Sequence, residues 1–298
     1  MAPPDTIFNA LSIDVEDYFQ VSAFETHVSR NEWDTYRCRV ERNVENILGI
    51  LEHANAKATF FTLGWIAERY PGLVRRIVDC GHELASHGYS HRRASDQTPE
   101  DFFADISNAK KLLEDVSGER VLGYRAPSFS IGRGNEWALE SIAKAGYQYS
   151  SSVYPVRHDH YGWVDAPRFP FQPCHDLIEI PVSTVHFWNR NWPAGGGGYF
   201  RLLPYWLSRW AIRHINTFEG KPAIFYFHPW ELDPDQPKIG KIGPKARFRH
   251  YVNLSRTEAR LKRLVTDFSW QRVDQVYLEG INGTRDCQSR VDSLRRMG

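Results

Sequence analysis

An α/β fold with a mostly parallel sheet, closed into a (β/α) barrel of about seven strands, is the architecture this sequence predicts. Three observations carry that expectation. Short apolar runs rich in β-branched and aromatic residues recur along the chain, stretches with helical apolar spacing separate most of them, and no linker of biased composition divides the 298 residues. A barrel commonly occupies about 250 residues as one unit. A single domain is therefore expected over 1–298, with the barrel strands inside a core at 7–230 and a polar tail at 282–298 expected to be disordered. A doubly wound open sheet is the competing arrangement.

The elements follow in order. Strands are expected at 7–15, 58–63, 83–86, 121–124, 147–151, 177–182 and 223–227. After the first, Val40, Val44, Ile47, Leu48 and Leu51 fall on one helical face. The clearest helix is TPEDFFADISNAKKLLEDVSG: Thr98 can cap it, Pro99 suits its first turn, Gly118 can end it, and Phe102, Ile106, Ala109, Leu113 and Val116 form one stripe. NEWALESIAKAGY repeats the arrangement, with Asn135 as cap and Gly146 as stop. A proline-rich loop (Pro155, Pro167, Pro170, Pro173) precedes four glycines at 195–198, which are expected to form a mobile rim or to allow close backbone approach.

Composition narrows the function classes. Hydrophobic residues at 42% and charged residues at 24% are those of a soluble globular protein. A formal net charge of +1 gives no bulk attraction to nucleic acid or to an anionic membrane. No apolar run reaches the ~18 residues of a membrane span, and the N-terminus lacks the basic-then-apolar order of a signal peptide, so a cytoplasmic location is expected. The cysteines Cys38, Cys80, Cys174 and Cys287 form no C-x-x-C pair and read as isolated thiols. Aromatic residues are plentiful, with 10 Trp, 14 Tyr and 17 Phe. Many will be core, and others could line a groove, where flat rings suit the faces of sugars. Nothing in the sequence sets an oligomeric state.

Chemistry-bearing residues collect where the predicted strands end. The first closes on SIDVED, with Asp14, Glu16 and Asp17 so close that they repel unless something positive sits among them. The third is followed by HGYSH, in which His87 and His91 lie four apart and can face one point. Two histidines and a carboxylate are a common set for a divalent metal with open positions, although such a pair by itself is more often structural. Arg125 follows the fourth strand, stiffened by Ala126–Pro127, and can hold a carboxylate in a bidentate pair. His228 leaves the apolar strand IFYF, as a buried structural histidine or, beside a metal, as a general acid. In a parallel barrel the carboxyl ends of the strands share one face, so four chain-distant clusters would converge there.

Together these residues resemble the NodB-type polysaccharide deacetylases, carbohydrate esterase family four. SIDVED is similar to that family's first motif, HGYSH to its H-S/T-x-x-H motif with Gly88 where Ser or Thr is usual, RAPSF to R-x-P, and FYFH to the late histidine motif. The likeness spans roughly 7–229. DVEDYFQV, GGGGYFRLLP and HPWELDP resemble more narrowly the deacetylases encoded with exosortase-linked exopolysaccharide systems. That narrower likeness implies a C-terminal extension at 231–280 packed on the barrel core.

The resemblance implies a distorted barrel that hydrolyses acetyl groups from a carbohydrate with a divalent metal, zinc by default and cobalt, nickel or iron as fits for the same ligands. It implies Asp14 as catalytic base, Arg125 as the group that orients it, His228 as the acid and the Ser128 N–H as an oxyanion donor. His87 and His91 match the metal histidines. Strand alternation puts Glu16 on the side of Asp14, and the resemblance to relatives with a spaced Asp-x-Asp or Asp-x-Glu pair implies Glu16 as the third ligand, with Asp17 as competitor if a bulge re-aims the strand end. Trp188, Trp192, Tyr199, Phe200 and Trp230 are candidates to stack on sugar rings, and packing under the glycine-rich loop is the alternative for each. An Asp-rich supporting motif has only HDLIEIP as its nearest equivalent, and no role is drawn from it.

Three other functions compete. A glycoside hydrolase needs carboxyls roughly 5–9 Å apart across a sugar bond, which acids on one strand end do not supply, and it leaves the histidines without a role. A glycan-binding barrel that has lost activity is a second reading, and a metal-free amidohydrolase of small substrates on the same fold is a third.

Overall fold

In the computed structural model, residues 7–157, 162–240 and 242–278 are described. The chain order is β1 (Phe8–Val15), α1 (Val40–His53), β2 (Thr59–Thr62), α2 (Gly64–Arg69), α3 (Pro71–Asp79), β3 (Glu83–Ser86), α4 (Pro99–Ser117), β4 (Gly123–Tyr124), α5 (Trp137–Lys144) and β5 (Tyr149–Ser150). There follow β6 (Phe171–Cys174), β7 (Leu177–Glu179), β8 (Thr184–Phe187), β9 (Arg190–Pro193), α6 (Gly197–Leu202), α7 (Tyr205–Thr217), β10 (Ile224–Phe227), α8 (Pro244–Tyr251), α9 (Leu254–Asp267), β11 (Ser269–Gln271) and α10 (Val273–Tyr277). All seven expected strands form, and they lie parallel in the order β10-β1-β2-β3-β4-β5-β7.

No ladder joins β7 to β10 among the described residues. The chain around Ser183 and Gly195 bridges the gap instead: the Ala194 and Gly195 amides donate to the Ser183 carbonyl (3.0 and 3.1 Å), Ile224 N to Ser183 Oγ (2.8 Å), and Tyr226 N to the Gly195 carbonyl (2.8 Å). This seam of single bonds is the distortion in the barrel. The glycine tract belongs to it, which corrects the expected mobile rim. Residues 195–197 are buried because their backbone packs directly against Ile224, Tyr226 and Glu231.

Alternation along β1 separates two apolar layers. Leu11, Ile13 and Val15 face outward into a core shared with α1, α7 and α9, while Ala10 meets Phe61, Ala85, Tyr149, Ile180 and Ile224. On one edge β1 pairs with β10. On the other it pairs with β2 through Ser12–Val15 and with β11 through Phe8–Ala10, so residues from beyond position 268 complete the sheet beside its first strand.

Helix α4 is capped as expected, with Thr98 Oγ1 accepting from Asp101 N (3.1 Å), Pro99 in the first turn and Gly118 left-handed at its end. The second helix starts later than expected. It begins at Trp137, because Asn135 Oδ1 accepts from Gly132 N and is spent on the turn before it. The edge strands β6, β8, β9 and β11 escape sequence reading because they are short and lack an apolar run. Cys38, Cys80 and Cys174 are free thiols. No described helix is long and apolar enough to cross a membrane. Cys287 and the tail 282–298 lie outside the described residues.

One buried carboxyl makes stability depend on pH. Glu83 accepts from Tyr149 Oη (2.8 Å), Thr59 Oγ1 and Asp274 N (3.2 Å). Burial, with Asp274 adding repulsion, raises it to about 8. The folded state therefore retains a proton that the unfolded chain has lost from about pH 4.5 upward. That contribution to stability shrinks as pH rises and is gone above about 8. Urea unfolding of Glu83→Gln should show a shallower loss of stability between pH 5 and 8 than the parent. Equal slopes would mean that Glu83 does not titrate there.

Candidate active site

The strand ends bring the predicted groups together. Arg125, fully buried after β4, occupies the centre. Its Nη1 donates to Asp14 Oδ1 (2.6 Å) and Ser12 Oγ (2.9 Å), Nη2 to Ser151 Oγ (3.0 Å) and Nε to the Ser151 carbonyl (3.1 Å). The expected bidentate pair is thus a single bond, because Ser151 takes the other two nitrogens. The guanidinium carbon also lies 4.1 Å from the Phe61 ring centroid.

Three buried side chains form the one potential metal cluster among the described residues. Ligand atoms of Glu16, His87 and His91 all lie within 4.8 Å of one another. His87 Nδ1 bonds the Arg125 carbonyl (2.8 Å). A carbonyl only accepts, so that nitrogen carries the proton and Nε2 keeps its lone pair. Burial depresses His87 to about 4, which keeps the ring neutral, as ligation requires.

His91 Nε2 is 2.8 Å from Glu16 Oε2, yet that oxygen and His91 Nδ1 have no hydrogen-bond partner. An unsatisfied buried carboxylate oxygen costs free energy unless an ion takes it up. The donor set and the orphaned oxygen therefore fit a divalent cation. Burial alone would raise Glu16, but His91, His228 and His87 outweigh it and hold the carboxyl at about 2. Trp230 Nε1 donates to Glu16 Oε1 (3.1 Å) and fixes the rotamer.

Asp17 faces away. Its Oδ2 accepts from the Arg39 and Val40 amides and its Oδ1 from Tyr18 N, so it caps the start of α1. Those amides need an acceptor at a helix start, and Asp17 supplies it.

Across the cluster stands His228, with Nε2 at 3.6 Å from Glu16 Oε1 and 3.9 Å from Asp14 Oδ2. Its Nδ1 donates to Glu231 Oε1 (2.7 Å). Burial would lower this histidine, but Glu16, Glu231 and Asp14 prevail and raise it to about 9. Glu231 is held in turn by Arg201 Nε (2.5 Å), and Arg201 donates its remaining protons to the carbonyls of Arg249, His250 and Val252. Sequence reasoning missed Glu231 and Arg201. The signal was present in HPWE, an acid three residues after a histidine at a strand exit. Glycines make room at both ends: a Cβ on Gly197 would meet Glu231 Oε1 at 2.2 Å, and one on left-handed Gly88 would meet Asp105 Oδ2 at 2.9 Å. The latter accounts for glycine at the second position of HGYSH.

The remaining predicted residues divide. Ser128 is left-handed (φ +58°), as is Phe129, and its hydroxyl touches that of Ser22. Trp230 is only 4% exposed and stacks between His228 and His250, and Phe200 is buried against Phe225, so neither can stack on a sugar. Tyr199 is half-buried. Trp188 and Trp192 stand on the β8–β9 hairpin. Its two-residue turn, Trp188–Asn189, has φ of +50° and +56°, the twist-matched type that normally employs Asn or Gly. Trp188 is nonetheless there, 82% exposed and stacked on Phe187. The HDLIEIP stretch supplies Glu179, whose buried Oε1 accepts from the Ser152 and Val153 amides beside Arg125.

Residues 33–150 match the family model Polysaccharide deacetylase. The model and the relatives both support a polysaccharide deacetylase domain. Residues 151–278 match a second model, Domain of unknown function (DUF3473). The chain is 34% identical to a peptidoglycan-N-acetylglucosamine deacetylase of Bacillus cereus over 102 residues, which is 34% of this chain and 46% of that protein. It is 37% identical to a chitooligosaccharide deacetylase of Azorhizobium caulinodans over 79 residues, 26% of this chain and 38% of that protein. The chain thus spans less than half the length of either. A crystal structure of a candidate polysaccharide deacetylase from Mycobacterium smegmatis superimposes with a TM-score of 0.63 at 19% identity, covering 96% of this chain and 94% of that one, which shows that the fold is shared.

The division of labour between the acids is testable. Asp17→Ala should lower stability by about 1–2 kcal/mol, the usual range for a lost helix cap, and leave zinc uptake by the apoprotein unchanged in calorimetry. Glu16→Gln should do the reverse. Lost uptake in the Asp17 variant would exchange the two roles.

Proposed function

We propose that this chain is a metal-dependent hydrolase that removes N-acetyl groups from an N-acetylhexosamine-containing exopolysaccharide or its precursor. The observation that carries the proposal is the pairing of two proton-handling groups across one cluster: Asp14, bonded to buried Arg125, and His228, raised to about 9, both facing Glu16, His87 and His91. A divalent cation held by those three residues would supply Lewis acidity to the acetyl carbonyl and to water. Zinc suits two imidazoles and a carboxylate, and cobalt, nickel and iron suit the same ligands.

The chain's own groups do the rest. Asp14 accepts the proton of the attacking water, held in place by its bond to Arg125. The N–H of Ser128 donates to the oxygen that becomes negative, a contribution of typically about 3 kcal/mol. His228, whose Nδ1–H is held by Glu231, delivers a proton from Nε2 to the departing amine nitrogen. Glu231 keeps the ring oriented with Nε2 inward. The products are acetate and a free amine. The likeness of DVEDYFQV and HPWELDP to exopolysaccharide-associated deacetylases favours that substrate over peptidoglycan. Trp188 and Trp192 would supply the exposed faces for sugar rings. We also propose that 7–230 is the catalytic core and 231–280 an extension that supports it.

Acetate release from N-acetylated oligosaccharides, with metal content measured before and after chelation, tests the mechanism. Near-stoichiometric metal and release that chelation abolishes and zinc restores are expected. Metal-free protein that stays inert after zinc addition would move the assignment to a glycan-binding barrel. Asp14→Asn and His228→Ala should each reduce kcat by about 10²–10⁴-fold while the Asp14 variant retains zinc. Trp188→Gly, which relieves the turn, should leave thermal stability equal or higher and raise KM for long oligosaccharides severalfold at unchanged kcat. An unchanged KM would remove the hairpin from the substrate site.

A further inference from the structure

Helix α7 buries Tyr205, Ala211, Ile212 and Ile215 and turns an unusual face outward. Leu202 just before it and Trp206, Trp210, His214 and Phe218 recur every fourth residue, the spacing that stacks side chains into one stripe on a helix. The rings touch in series, with centroids 5.5 Å apart for Trp210–His214 and 5.2 Å for His214–Phe218. The stripe is open to solvent: Trp206 is 64% exposed, Trp210 48% and Phe218 80%. From Trp206 to Phe218 it runs about 18 Å. Isolated exposed aromatics need no explanation, but a contiguous row of them marks an interaction site.

Its charge says what kind. The segment from Tyr205 to Phe218 contains no acid and carries Arg209 and Arg213 beside the stripe. The nearby carboxylates are neutralised within the protein: Asp267 by Arg209 and the Tyr205 hydroxyl, and Glu219 by a two-bond contact with Arg168. Indole rings that alternate with arginines on an exposed, acid-free helix face suit the boundary between lipid headgroups and acyl chains, where Trp is favoured and anionic headgroups attract basic side chains. A protein partner of the same size would be expected to meet a mixed-sign rim. The net charge of +1 gives no long-range attraction, so the effect is local to this face.

We propose that the outer face of α7 docks the protein peripherally on an anionic phospholipid surface, with Trp206, Trp210 and Phe218 as interfacial anchors and Arg213 as a headgroup contact. This surface is separate from the catalytic proposal and does not depend on it.

Co-sedimentation of the full chain with vesicles tests it, using phosphatidylcholine alone and phosphatidylcholine with about one-third phosphatidylglycerol. Binding is expected to the mixed vesicles and to be far weaker with phosphatidylcholine alone. Arg213→Gln should weaken it about fivefold, the equivalent of one basic contact, and Trp206→Ser with Trp210→Ser by more than tenfold. Both variants should keep the parent's melting temperature, which separates lost docking from lost folding. Absence of binding by the parent, equal binding to both vesicle types, or binding indifferent to these substitutions overturns the proposal. Light scattering provides a further outcome: a dimer of the parent that the tryptophan substitutions dissolve would also overturn it, by assigning the face to a second copy of the chain.

Discussion

A single guanidinium sets the terms for the interior. Arg125 has no exposed surface, and a buried cation that lacks partners costs several kcal/mol. Its partners come from three strands: Ser12 and Asp14 from β1, the Phe61 ring from β2, and Ser151 from the exit of β5. Its own carbonyl fixes the tautomer of His87 at the exit of β3. The strands are thereby held at a common level, and the acid and the histidines that belong to different clusters in the sequence must meet there. Each hydrogen bond to Arg125 makes the charge tolerable, and the one to Asp14 also positions a carboxylate beside the cluster.

The second pole of the site is built differently. His228 gains its charge from carboxylates, one of which, Glu231, would itself be an unpaired buried anion without Arg201. Arg201 is satisfied by carbonyls at the end of α8, and residues at the end of a helix have acceptors to spare. The C-terminal third of the chain is therefore coupled to His228 through a buried chain of charge, with Gly197 giving the carboxylate its space. Trp230 contributes from the same turn by holding Glu16, so one short stretch, HPWE, aims three parts of the site.

Much of this was legible in the sequence, for identifiable reasons. The seven parallel strands are apolar runs because they are covered on both faces, and their periodicity contrast with the helices survives in single-sequence reading. Asp14, His87, His91, Arg125 and His228 follow strand ends, and that rule needs no coordinates. What escaped was whatever depends on where a side chain turns after leaving the strand. Trp230 reads as a sugar platform by composition, but it packs inward between two imidazoles. The glycine tract allows either flexibility or close approach in the sequence, and the structure shows close approach at 195–197, where a backbone carbonyl, a tyrosine ring and a carboxylate need the volume. The strands β8, β9 and β11 carry no apolar signature because each is only three or four residues long.

The position of β11 bears on how the chain reaches this state. The central strand β1 comes from residues 8–15, and its neighbours come from residues near 60, 224 and 270. A ribosome releases the chain N-terminus first, so the strand that carries Asp14 must wait, exposed along one edge, until almost everything else has been made. Closing contacts of such long sequence separation is slow, and an unpaired apolar strand is prone to associate with other chains in the meantime. Production of this protein should thus be limited by the kinetics of its last strand, and the penalty for losing residues around 270 would fall on the first strand and the site it carries.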